Sequence, residues 1–234
     1  MAEGPLDGVD LDALAAGRVR PAGGPPRGEE VDGAFLLRRI DLCHLGFWVG
    51  LGAYFLDGDP RVGPLAEAVL GAQLADGGWN CHVRNRPATR HSSFHTTFNV
   101  LEGLRNAAAR QAIPEPGFRE AEARAAELML QHRLFRSDRT GEVISERFTH
   151  LTYPWHWHYT VLRGLDYLRL TPAIGDERVD EAIELLRERR KPNGRWPLQK
   201  RIPGTLLVEM EKPGGESRWN TLRALRILRR RDEV

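Results

Sequence analysis

From Phe35 to the last residues, apolar side chains recur every three to four positions, with polar side chains between them. Phe35 to Phe55 reads as one long apolar helix or two, ended by Asp57-Gly-Asp-Pro. Arg61 to Leu74 is amphipathic, with Val62, Leu65, Val69 and Leu70 on one side. Ser93 to Ala109 follows behind the capping residues Ser92 and Ser93. Phe118 to His132 has the Ala, Glu and Arg content of a helix with a solvated back. Arg136 to Tyr153 reads as a long connection with a short extended piece at Val143-Ile144. Pro154 suits a first helical position and predicts a helix to Leu170. Asp176 to Arg190 and Ser217 to Arg231 complete the set. No run alternates in the manner of strands, so the pattern predicts an all-α chain. Residues 1–32 are Gly- and Pro-rich and read as a flexible leader with a turn or two of helix at Leu11–Ala16, leaving 33–234 as the folded domain.

The helices repeat. Val100-Leu-Glu-Gly-Leu, Val161-Leu-Arg-Gly-Leu and Thr221-Leu-Arg-Ala-Leu are one segment written three times, with Val49-Gly-Leu-Gly-Ala as a looser copy. Five residues before them stand His44, His95, His156 and Glu216, at intervals that each fit two helices with their loops. The preceding turn recurs as well: Gln73-x-x-x-Gly77-x-Trp79 returns as Arg190-x-x-x-Gly194-x-Trp196, with a degraded copy at Gln131–Phe135. Hairpins at such a period stack into a solenoid or a ring. If alternate helices form an inner layer, their first turns gather around one mouth.

Composition narrows the function. A formal net charge of +2 over 234 residues gives no electrostatic support to nucleic-acid binding. The longest apolar run, Leu45 to Leu56, is shorter than the roughly 20 residues a bilayer requires, and no apolar signal core opens the chain, so a cytoplasmic protein is expected. Two cysteines, Cys43 and Cys81, make no disulfide framework and read as free thiols or metal ligands.

Gln-x-x-Asp-Gly-Gly-Trp at Gln73–Trp79 resembles the repeat motif of the squalene–hopene cyclase and protein prenyltransferase β-subunit superfamily. The resemblance spans about residues 35–231, with the Gln73–Trp79 copy the close match. It implies an α/α toroid, a partial or complete α/α barrel of repeated helical hairpins around an apolar cavity that holds isoprenoid chains. Such toroids close with about six hairpins and about four are countable here, which leaves an open ring or one completed by the leader, a second copy or a partner subunit. The resemblance also implies a zinc site, since an Asp-x-Cys pair opens one inner helix of the prenyltransferase β subunits and a His sits early in the next. Asp41, Cys43 and His95 stand in that order, and Arg38 falls where a diphosphate-binding residue is placed, with Arg39 or Arg218 in support.

Thiolate, carboxylate and imidazole are a normal zinc ligand set, and three protein ligands leave one position for substrate. Cys81, His44, His156 and His158 are reserve ligands; Cys43 and Cys81 with one histidine form a thiolate-rich alternative that resembles lanthionine synthetase-like cyclases. The opposing reading makes Cys43 a core cysteine, Asp41 a cap and His95 a helix-start histidine. Phe47, Trp48, Phe94, Phe98, Trp155, Trp157, Tyr159 and Trp219 fall on the expected inner helices, where a carbocation cavity and ordinary packing want them equally. There is no Asp-x-Asp-Asp, no Asp-Asp-x-x-Asp, no phosphate-binding glycine loop and no nucleophile elbow, which disfavours proton-initiated cyclisation and magnesium-dependent ionisation. The expected function is an isoprenoid-handling, zinc-dependent prenyl-type transferase. Its alternative is a non-catalytic toroid that binds an apolar ligand or a protein partner.

Overall fold

In the computed structural model the described residues are 33–56, 58–202 and 208–234, and the leader expected at 1–32 lies outside them. Among the described residues the α-helices are α1 (Gly33–Arg39), α2 (Leu42–Phe55), α3 (Val62–Gly71), α4 (Phe94–Ala109), α5 (Glu115–Gln131), α6 (Val161–Leu168), α7 (Asp180–Glu188) and α8 (Arg218–Asp232). The described sheet is one antiparallel pair of two-residue strands, β1 (Trp196–Pro197) and β2 (Glu216–Ser217). The protein is all-α. Among the described residues, no helix is long and apolar enough to cross a membrane.

The apolar run from Phe35 resolves into two helices, because Asp41 is extended (φ −65°, ψ 135°) and stands as the N-cap of α2. α2 packs most extensively on α4. The contact is backbone to backbone: a Cβ added to Gly46 would lie 2.6 Å from the Asn99 carbonyl oxygen, and one added to Gly103 would lie 2.8 Å from the Gly46 carbonyl carbon. Small residues at the crossing let the two backbones come into direct contact. α5 also packs on α4, while α6 packs on α8.

The two Gly-x-Trp turns share one set of bonds. Trp79 and Trp196 are fully buried, and their indole N–H groups donate to Val69 O (2.8 Å) and Leu186 O (2.7 Å), each ten residues back. Their backbone N–H groups donate to Thr97 Oγ1 and Thr221 Oγ1, both at 3.0 Å. Gly77 needs its positive φ of 100°, and a Cβ there would also meet the Arg124 carbonyl oxygen at 2.5 Å. Gln73 Nε2 bridges Gly77 O and Ala121 O, and Asp76 accepts from the N–H and hydroxyl of Ser92. The turn fastens the end of one helix to the start of the next.

Helix caps set the true repeat register. Ser93 accepts from the Thr96 N–H, Thr160 from Arg163 and Ser217 from Asn220, each three residues on. Counted from the caps, Cys43 and His95 match Trp219. Glu216 instead lies in β2, where it holds Asn193 and Arg195. The helix expected from Pro154 begins at Val161. Residues 154–160 stay irregular because His156 takes a left-handed φ of 48°, and the Tyr159 N–H is spent on a side chain. The gathering of four equivalent residues at one mouth is therefore not found.

Candidate functional site

Two helix starts and one short turn meet at a pair of sulfurs. Cys43 follows Leu42 at the N-terminus of α2, where a backbone N–H has no partner four residues back. That N–H donates to Cys81 Sγ at 3.3 Å. Cys81 opens a 3-10 turn, Cys81–Arg84, whose cap Asn80 accepts from the His82 N–H at 2.9 Å. On its other side Cys81 Sγ lies 3.3 Å from Thr96 Oγ1, and the Cys81 N–H donates to the same hydroxyl at 3.4 Å. Thr96 belongs to the first turn of α4, so the Gly-Gly-Trp turn that precedes Cys81 and the cap that starts α4 jointly fix the sulfur.

These contacts separate the two thiols. The Cys43 thiol, the Thr96 hydroxyl and the Cys43 N–H hold Cys81 down to about 6, against burial and the Asp41 carboxylate, which raise it. Cys43 is pushed far up by the same hydrogen bond to Cys81 and by burial. The pair shares one proton, so near neutral pH Cys81 is the thiolate and Cys43 the thiol that bonds to it.

The sulfurs open into a cavity of about 420 Å³ whose walls include Asp41, His44, His82, His95 and Trp157. Asp41 Oδ1 is 3.2 Å from Arg84 Nη2, and Arg84 Nη1 donates to Arg39 O at 2.8 Å. His95 Nδ1 accepts the Tyr159 backbone N–H at 2.8 Å. Burial, with the nearby charges of His158 and Arg163, holds His95 down to about 4. A neutral ring whose Nδ1 accepts carries its proton on Nε2, so His95 offers the cavity an N–H donor rather than a lone pair. Asn99 pins the backbone of both His95 and Trp157, donating to their carbonyls at 2.7 and 2.9 Å. Arg163, fully buried, binds Glu102, Asn99 Oδ1 and His158 O, and so ties α4 to α6 and to the segment that carries Tyr159.

The residues expected from sequence divide. Asp41, Cys43, His95, Cys81 and His44 line one cavity, whereas His158 lines the neighbouring one and His156 is exposed and lines neither. Among the described residues, no three His, Cys, Asp or Glu side chains come together as a group that could hold a metal ion. Zinc on Asp41, Cys43 and His95 requires His95 to release the Tyr159 N–H, because a ring whose Nδ1 accepts that bond carries its proton on Nε2. Arg38 and Arg39 are exposed on α1, Arg218 is exposed beside Glu211, and none of them lines either cavity.

Of the expected cavity aromatics, Phe94 and Phe98 are buried with Phe148, Tyr159 and Tyr167 in a core cluster. Tyr159 also touches the second cavity, Trp157 faces both, and Trp219 stacks on Tyr153. Phe47 is half-buried on α2, and Trp48 is exposed there. Sequence reasoning missed Thr96, whose sign was a hydroxyl in the first turn of a capped helix, next to His95. No protein-family model, curated protein or solved structure matches the chain.

Proposed function

We propose that this chain is an enzyme of α/α-toroid type whose reactive centre is the Cys43–Cys81 pair, with zinc on the two sulfurs and an apolar, isoprenoid-like substrate. The observation that carries this reading is the low pKa arranged for Cys81 by one backbone N–H, one hydroxyl and one thiol inside an open cavity. Two sulfurs with carboxylate and imidazole donors on the same walls are the donor chemistry zinc takes, although Asp41, His44 and His82 are not gathered around the sulfurs. Bound there, zinc would supply a Lewis acid that activates a nucleophile. The protein's own part is to keep Cys81 deprotonated, to offer the His95 N–H as a donor, and to present Trp157 as an aromatic wall. The toroid and the transferase reading rest on the Gln73–Trp79 resemblance and on the shared bonding of the two Gly-x-Trp turns.

The deciding experiment is metal analysis of purified protein. About one zinc per chain is expected, lost in both Cys43→Ala and Cys81→Ala. A metal-free wild type removes zinc and leaves the second reading, in which Cys81 is itself the nucleophile, favoured by its depressed pKa. A metal-free protein whose Cys81 also alkylates as an ordinary thiol leaves only a non-catalytic binding module.

A further inference from the structure

Cys43 and Cys81 meet across 38 residues of chain, and both line the open 420 Å³ cavity while remaining half-buried. The meeting is sulfur to sulfur as well as backbone to sulfur. The Cys43 N–H donates to Cys81 Sγ at 3.3 Å, and the Cys43 thiol bonds to the same atom. Sulfurs in hydrogen-bond contact need to close by only about 2 Å to reach the disulfide length of roughly 2.05 Å. Neither element that carries them is loose. Cys43 is seated in the first turn of α2, and Cys81 opens the Cys81–Arg84 turn, which Asn80 caps.

The two sulfurs have different surroundings. Cys81 Sγ receives the Cys43 N–H and the Cys43 thiol, and lies 3.3 Å from Thr96 Oγ1. That hydroxyl already accepts the Cys81 N–H, so its own proton is left for the sulfur. For Cys43 the one contact that favours negative charge is the His44 backbone N–H. Charge is therefore gathered on Cys81, and a proton is kept on Cys43. Asp41, the carboxylate on the cavity wall, is engaged by Arg84 at 3.2 Å. His95 lines the same cavity with its Nδ1 occupied by the Tyr159 N–H, which leaves an Nε2 proton for an incoming oxygen.

We propose that Cys81 is an oxidation site for hydroperoxides, and that Cys43 converts the oxidised sulfur into a Cys43–Cys81 disulfide. In the first step the Cys81 thiolate attacks one peroxide oxygen and the O–O bond breaks. Hydroxide leaves and takes a solvent proton to become water, and Cys81 is left as a sulfenic acid. In the second step the Cys43 sulfur attacks Cys81 Sγ, the S–O bond breaks, and the departing hydroxide takes the Cys43 proton. The two thiols lose two electrons, and the peroxide is reduced to two waters. Oxidation of this kind does not depend on zinc. Its consequence, release of metal from the same two sulfurs, rests on the zinc reading above.

Full-length protein, reduced and stripped of metal, is treated with hydrogen peroxide, alkylated, and read by mass spectrometry. Wild type is expected to lose both free thiols and about 2 Da, with Cys43 and Cys81 joined within one chain and restored by dithiothreitol. Cys43→Ser is expected to accumulate a dimedone-reactive sulfenic acid, at least about tenfold more than Cys81→Ser does. Oxidation of wild type to sulfinic or sulfonic acid without the bridge overturns the proposal, as does a bridge formed only between chains. This wild-type result decides the bridge without any variant. Equal dimedone labelling of the two serine variants overturns Cys81 as the attacked sulfur. Metal-free native protein that forms the bridge removes the zinc reading and keeps this one. Zinc-containing protein whose thiols never join after stripping does the reverse.

Discussion

Replacing Gly103 with Ala tests whether the α2–α4 crossing holds the cysteine pair. The new methyl would lie 2.8 Å from the Gly46 carbonyl carbon and 3.3 Å from Gly46 Cα, all backbone atoms that no rotamer change can move away. The helices must separate, by about an ångström, before ordinary van der Waals contact returns. Overpacking a core costs roughly 1–3 kcal/mol, and a backbone-on-backbone clash belongs at the top of that range, about 3 kcal/mol. For a domain of this size that is a fall in Tm of about 6–12 °C. Gly117→Ala is the matched control, since nothing lies within 4 Å of a Cβ there, in the first turn of α5; it should raise stability by about 0.4–1 kcal/mol. The local consequence is sharper than the global one. Cys43 lies one turn before Gly46, so separation of α2 from α4 draws the Cys43 N–H away from Cys81 Sγ, and the Cys81 pKa rises. Thermal melts read the first effect and the pH profile of Cys81 alkylation the second. A Gly103→Ala protein that melts with the wild type refutes the tight crossing. One that melts early while its alkylation midpoint stays put refutes the coupling of crossing to site.

Two further outcomes follow from the same geometry. In metal-stripped protein, iodoacetamide should modify Cys81 with a midpoint near pH 6, because a depressed pKa leaves the thiolate present above that value and lost below it. Thr96→Val and Cys43→Ala should both move the midpoint upward, and a wild-type midpoint in the usual thiol range of about 8–9 would contradict the assignment. Arg163→Met should cost about 3 kcal/mol by chemical denaturation, the lower end for breaking a buried ion pair, because the Glu102 side chain remains 36 % exposed. A loss below about 1 kcal/mol would mean that Arg163 does not hold α4 to α6.

The helical periodicity was legible without coordinates, and so were the two Gly-x-Trp turns. Each is written in local chemistry: spacing of apolar positions, a glycine needing positive φ, and an indole that bonds back along its own helix. The capping serines were legible for the same reason. Copying by motif misled where a cap lay elsewhere. Val161 matches Val100 in sequence, yet Thr160 starts its helix and Ser93 starts the other seven residues before Val100, so His156 and Glu216 fall away from His95.

Residue types alone determined that this chain is all-α, writes its Gly-x-Trp turn twice, and holds two cysteines, Cys43 and Cys81. Only the tertiary structure decided that Cys81 stands against the start of α2, 38 residues beyond Cys43. It alone set His95 against the Tyr159 backbone, and joined the segments that place Arg147 near Lys200. The physical reason is range. Periodicity, caps and turns act over three to ten residues, whereas a pKa, a tautomer and a cavity wall depend on atoms brought together from distant parts of the chain.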